Sequence, residues 1–200
     1  MDLLTKEQIN EISLIESRMK KTLKESRFRH TVSVAHMAAA LAMKYNAPLY
    51  KAMAAGMLHD CAKRYSEEEL LLRCRKKGLE IRKAEEENPA LLHSKYSAFL
   101  AETKYGTDDP EILSAITWHT TGKPDMSLLD KIIFTADYIE PYRNHSDRLP
   151  MIREQAFTDL DGAVLTILED TLKYLKKRNI PFDEMTLLTY DYYSAKSVLI

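Results

Sequence analysis

Six residues of this 200-residue chain carry the donor atoms that divalent first-row metal ions accept: His30, the adjacent pair His59 and Asp60, His93, His119 and Asp137. The mixture points to two ions rather than one. A carboxylate can bridge two dications and offset their repulsion, which neutral imidazoles cannot do. Helical periodicity puts the six residues on five different helices. A helix can aim one such side chain at the interior of a bundle, which is how all-helical proteins assemble two-metal sites from residues far apart in sequence.

Local context strengthens two positions. His59 and Asp60 end the run AMAAGMLHD, whose Ala54, Ala55, Met57 and Leu58 predict a deeply packed helix. An unpaired carboxylate there costs several kcal/mol, roughly the penalty for burying a lone charge. Asp137 stands in KIIFTADYI, equally apolar. Both acids need cations, and the helices that carry them offer few basic residues. His119 precedes TTG, a common loop string whose hydroxyls and turn amides could receive a phosphate. His93, in LLHSKYS, suits a helix surface as well as a ligand position. His36 lies six residues after His30, off its helical face, and His145 lies in a polar loop; both read as ordinary polar residues.

The elements that must position these groups are helices. Five Gly, seven Pro and abundant Ala, Leu, Lys and Glu favour helix over strand along nearly the whole chain, so the fold class is all-α. TKEQ forms a capping box for a first helix, in which Ile9, Ile12, Leu14, Ile15, Met19 and Leu23 recur at helical spacing. A second helix is predicted over 27–45, with Asn46 as a left-handed stop, and a third from Pro48 to about Arg64. SEEE at Ser66 to Glu69 caps a helix that Gly78 ends. Pro89 to Tyr105 reads as one helix closed by Gly106, and Asp109 with Pro110 opens the next, which ends near His119. Ser127 with Asp130 starts SLLDKIIFTADYIE, halted by Pro141. PYRNHSDRLP is a loop, Met151 to Arg178 is predicted as one long amphipathic helix, and a last helix starts near Asp183. No repeat or linker interrupts the pattern, so residues 1–200 are read as a single domain.

Bulk composition excludes several roles. A chain of this length buries roughly 70% of its unfolded surface and can fold without disulfides. Lys and Arg number 29 against 30 Asp and Glu, a net charge of -1, which leaves no cationic excess for a nucleic-acid backbone. Charges interrupt every apolar run before the roughly 20 residues of a bilayer crossing, and MDLLTKEQINEISLIE lacks a basic-then-apolar signal peptide. A cytoplasmic protein without membrane or nucleic-acid partners is expected. The two cysteines, Cys61 and Cys74, form no CxxC and read as buried free thiols.

The order His, HisAsp, His, His, Asp, with RFRH, LHDCAK, LLH and WHTTGKPDMSLLDKIIFTADYIEPYR, resembles the HD-domain phosphohydrolases. Among these it resembles the YqeK type, the symmetrical bis(5'-nucleosyl)-tetraphosphatases. A bare HD dipeptide carries little information, whereas the last string is long and specific, and the resemblance spans about 27–178. It implies a helical HD-domain bundle with a dinuclear metal centre, iron first, with manganese, cobalt, nickel and zinc suiting the same ligands. It implies cleavage of diadenosine tetraphosphate to two ADP by a hydroxide between the metals. His30, His59, Asp60 and Asp137 would surround one metal and Asp60, His93 and His119 the other, with Asp60 as the bridge. Lys63 and Arg143 would join Asp60 in catalysis by offsetting phosphoryl charge, and Arg27, Thr120 and Thr121 match positions suited to phosphate or ribose. Ser97 stands where the family usually has a glycine, which predicts slightly looser packing near His93. Two other readings belong beside this one: a broader nucleotide phosphohydrolase, and a nucleotide sensor without turnover, against which the full ligand set weighs. The amphipathic terminal helices could pair with a second copy in a homodimer.

Overall fold

The computed structural model describes residues 4–181 and 183–197, and every regular element among them is helical. Helix α1 (Lys6–Thr22) begins at the expected capping box: the Thr5 hydroxyl accepts from the Gln8 amide while the Gln8 side chain reaches back to Thr5. It buries Ile12, Ile15 and Met19. Helix α2 (Glu25–Tyr45) ends at Asn46 in the left-handed conformation, as anticipated.

Helix α3 (Leu49–Leu58) is shorter than the sequence pattern suggests. It stops with His59 as its C-cap, and residues 59–64 form successive turns. Small residues line its contact with α2, and an ideal Cβ on Gly56 would lie 2.7 Å from the Ala35 Cα. The two helices therefore approach nearly backbone to backbone, which brings His30 and the His59–Asp60 turn together.

The capping box at Ser66 and Glu69 opens α4 (Glu67–Lys76). A short helix unforeseen from sequence, α5 (Lys83–Glu87), follows. Its buried Glu85 pairs with Arg82 at 3.1 Å and Lys95 at 2.7 Å, so a segment that looks like a solvated charge run is anchored by its charges. The segment read as one helix from Pro89 begins as a 3-10 turn (Pro89–Leu91) and becomes α6 (Leu92–Tyr105), closed by Gly106 at φ 78°. Helix α7 (Pro110–Trp118) has Asp109 as its N-cap and His119 as its C-cap. Helix α8 (Leu128–Ile139) starts at the Ser127–Asp130 box and is ended by Glu140 and Pro141.

The long helix expected over 151–178 is two helices, α9 (Leu149–Ala156) and α10 (Leu160–Arg178). Asp159 breaks it by capping α10 and accepting from the Gly162 amide at 3.0 Å. The break lets Arg153 of α9 reach back to the corner after α8, where it donates to the Ile139, Glu140 and Arg143 carbonyls at 2.9, 3.0 and 3.1 Å. Helix α11 (Glu184–Ser197) packs on α10. The core threads between α2, α3, α7 and α8, with Leu41, Met57, Leu58, Ile116, Ile132 and Ile133 fully buried. No helix among the described residues is long and apolar enough to cross a membrane. Cys61 and Cys74 are free and buried.

Candidate metal centre

Four of the five helices that carry the six residues present them from an end. His59 and Asp60 follow the last turn of α3, His93 stands in the first turn of α6, His119 caps α7, and Asp137 lies in the last turn of α8; His30 is reached from the first half of α2. The C-terminal ends of α3 and α7 leave carbonyl groups without intrahelical partners, and the His59 and His119 imidazoles meet them, while His93 turns to the 3-10 turn before α6. Nδ1 of His59 lies 2.7 Å from the Gly56 carbonyl, that of His119 2.7 Å from Ile116, and that of His93 2.5 Å from Ala90, three residues earlier in each case. His30 Nδ1 is 3.1 Å from Glu140 Oε1. An Nδ1 facing a backbone carbonyl must carry the proton, so the rings of His59, His93 and His119 turn an unprotonated Nε2 the other way, whereas His30 has a carboxylate oxygen at each ring nitrogen.

Those Nε2 atoms face the two acids. His30 Nε2 is 3.0 Å from Asp137 Oδ1, and His59 Nε2 is 3.7 Å from that oxygen and 3.5 Å from Asp60 Oδ2. Asp60 Oδ1 turns to the other pair, 3.4 Å from His93 Nε2 and 3.8 Å from His119 Nε2. Asp60 thus stands between two sets of donors, one oxygen to each. The Nε2 atoms of His93 and His119 are 3.1 Å apart. With both Nδ1 atoms protonated, this distance opposes two lone pairs, an arrangement that a cation between them relieves. The Nε2 atoms of His30 and His59 and Oδ1 of Asp60 are buried without a hydrogen-bond partner. Three overlapping groups, His30–His59–Asp60, His59–His119–Asp137 and Asp60–His93–His119, each hold their donors within 4.8 Å. The residues present fit a metal centre with Asp60 at its middle.

Electrostatics agree. Burial pushes the His59 imidazole down to about 4 and His93 well below its ordinary value, so both are neutral ligands near pH 7. Burial alone would raise Asp60, but its pKa is lowered instead, with the Arg27 guanidinium 2.7 Å from Oδ2 as the fixed positive charge beside it. Asp137 is held well below its usual range by the His30 imidazole 3.0 Å away and by Arg143, against the same opposing burial.

Two arginines meet the need of the acids for cations. The acids do have protein counter-charges, supplied from outside their own helices: Arg27 Nη1 donates to Asp60 Oδ2 at 2.7 Å, and Arg143 Nη2 to Asp137 Oδ1 at 2.7 Å. Oδ1 of Asp60 is still left without a partner. Lys63, in the turn after Asp60, is exposed; desolvation by the surrounding protein and repulsion from Arg27 and Arg143 lower its pKa, against the attraction of Asp60 and Asp137. The Thr120 hydroxyl lies 3.3 Å from His93 Nε2, whereas that of Thr121 donates to the Gly122 carbonyl within its own loop. Ser97 does not loosen the packing. It is fully buried, and its hydroxyl accepts from the Ala62 amide at 3.0 Å, tying α6 to the turn that carries Asp60. His36 is exposed, and His145 packs edge-on against Tyr138.

The residue that sequence reasoning missed is Glu140. It is 2% exposed, holds His30 through Oε1 and accepts the Tyr142 amide at 2.8 Å through Oε2. A carboxylate behind a histidine orients the ring and raises its basicity. Its signal was a lone acid between an apolar helix and a proline. Glu140→Gln is expected to lower metal affinity about 10- to 100-fold, the usual cost of losing such a partner, with the far-UV spectrum unchanged; titration against a metal-binding competitor dye measures it.

Residues 27–142 match the HD domain family model. The chain belongs to the HD-domain family. The symmetrical bis(5'-nucleosyl)-tetraphosphatase of Halalkalibacterium halodurans is 40% identical over 173 residues, 86% of this chain and 91% of that protein. Its namesake from Bacillus subtilis is 37% identical over 174 residues, 87% and 92% of the two chains. A crystal structure from Clostridium acetobutylicum, described as a predicted HD superfamily hydrolase involved in NAD metabolism, superposes with a TM-score of 0.88. It is 35% identical and covers 92% of this chain and 97% of its own. This HD-domain chain therefore shares sequence and helical architecture with its relatives over nearly their full length.

Proposed function

We propose that this protein is a metal-dependent hydrolase that cleaves diadenosine tetraphosphate symmetrically to two ADP in the cytoplasm. What supports the reading is the position of Asp60, one oxygen toward His30 and His59 and the other toward His93 and His119, in a chain whose relatives bear the name of that activity over most of their length. His30, His59, Asp60 and Asp137 would hold one ion and Asp60, His93 and His119 the other, with iron as the metal. Two dications in that place supply Lewis-acid activation of water and charge compensation for phosphoryl oxygens.

The chain's own residues do the rest. Arg27 and Arg143 flank the acids, each holding a carboxylate through one Nη group, and their remaining Nη donors are placed for phosphoryl oxygens. Lys63 offsets charge that develops on the departing phosphate, and Thr120 offers a hydroxyl beside His93. Water's oxygen adds to a phosphorus next to the central bridging oxygen, and that P–O bond breaks. One ADP retains the bridging oxygen and the other gains the oxygen of water. Chromatographic identification of the products tests the assignment. ADP alone is expected; AMP with ATP, or no turnover, would contradict it.

A further inference from the structure

A longer depression begins beside His30, on the side of its ring that faces Glu140. Arg27, His30, Glu140 and Arg143, with Ser26, Arg29 and Tyr142, line a pocket of about 240 Å³. Arg29 and Tyr142 also belong to the wall of a groove of about 960 Å³, bordered by Phe28, Val32, Met37 and Phe157. The two spaces share a wall, and the groove follows Ser33, His36, Met37 and Ala40 along α2. At 1.5 Å per residue it reaches roughly 15 Å from His30. Its chemistry changes along the way: guanidinium groups of Arg27, Arg29 and Arg143 at the cluster end, then half-buried aromatic and aliphatic side chains with the exposed Glu16, Lys20, Glu25 and His36 beside them. A nucleoside diphosphate has the same polarity from end to end.

Tyr142 marks the boundary. The residue is 65% exposed, with the Arg29 guanidinium 5.1 Å from the ring centroid. Its backbone, by contrast, is firmly held. The Tyr142 amide donates to Glu140 Oε2, and Arg153 binds the carbonyls of Ile139, Glu140 and Arg143 around it. A fixed corner that presents an open aromatic face, hung from the carboxylate that orients His30, is suited to stack a flat ligand.

We propose that this groove receives one adenosine of the substrate, with the purine stacked on Tyr142 and its phosphates directed to Arg27 and Arg143. The inference deepens the hydrolase reading and rests on it for the identity of the base. The test is calorimetric titration of the metal-loaded protein with ADP and, separately, with inorganic tripolyphosphate, which has no base. Tyr142→Ala is expected to weaken ADP about tenfold, in line with the loss of one base–aromatic stack, and Tyr142→Phe to restore it within about twofold. Met37→Trp, which fills the groove, should weaken ADP as well, and none of the three should alter tripolyphosphate binding. Unchanged ADP affinity in Tyr142→Ala or Met37→Trp, parallel loss of ADP and tripolyphosphate, or no ADP binding by the unsubstituted protein would overturn the proposal. Binding is read without turnover. A protein that holds ADP through Tyr142 yet leaves diadenosine tetraphosphate intact refutes the hydrolase reading alone, and one that hydrolyses it with ADP binding indifferent to Tyr142 refutes the groove alone.

Discussion

Replacing Asp60 with alanine is expected to leave a folded helical protein that turns over no substrate and retains at most one metal ion per chain. Asp60 is the residue whose two oxygens face different histidine pairs, so its loss removes a donor from both ion positions together. The fold should survive because Asp60 lies in the turn after α3 rather than inside a helix. Its partner Arg27, with a side chain 35% exposed, can return to water when the ion pair is lost. Product analysis, elemental analysis and far-UV circular dichroism on one preparation measure the three parts. Turnover within tenfold of the unsubstituted protein, or two ions retained, would remove Asp60 from the centre of the site.

Gly56→Ala should injure stability and site together. A Cβ there would sit 2.7 Å from the Ala35 Cα and 3.1 Å from its amide nitrogen. Both are backbone atoms of a packed helix, which cannot swing aside as a side-chain tip can. Alanine gains about 1 kcal/mol of helix propensity over glycine, but forcing α2 and α3 apart costs about 1–3 kcal/mol by the usual scale of overpacking. Because α2 offers no give, we expect overpacking to win, with a fall in the melting temperature of a few degrees, roughly 2–4 °C per kcal/mol at this chain length. The Gly56 carbonyl also accepts from His59 Nδ1, so metal affinity should fall with it. A thermal melt and a metal titration check both, and an unchanged or raised melting temperature would contradict the packing argument.

The contrast between these two positions shows what a sequence exposes. The six donor residues stood out because acids and imidazoles inside apolar runs require partners, and the structure does bring their side chains to one place. Capping boxes at Thr5, Ser66 and Ser127 were legible because each is complete within four residues. The break between α9 and α10 was not. Ile152, Ala156, Leu160, Ala163, Val164 and Ile167 are all buried and keep helical spacing across it, so the apolar pattern hides a cap that only Asp159 betrays. Helix α5 was masked by charges whose partners, Lys95 and Asp183, lie outside it. Glu140, Ser97 and Arg153 act through contacts 110, 35 and 14 residues away along the chain. Such contacts leave no local pattern, and the same holds for the pairing of Arg27 with Asp60.

The arrangement of two ions about one shared carboxylate is tested most directly by anomalous diffraction from crystals of the protein as purified, recorded at the absorption edges of iron, manganese, cobalt, nickel and zinc. The expected map contains two peaks, one within coordinating distance of His30, His59, Asp60 and Asp137 and the other of Asp60, His93 and His119. A single peak, none, or peaks on other side chains would contradict it.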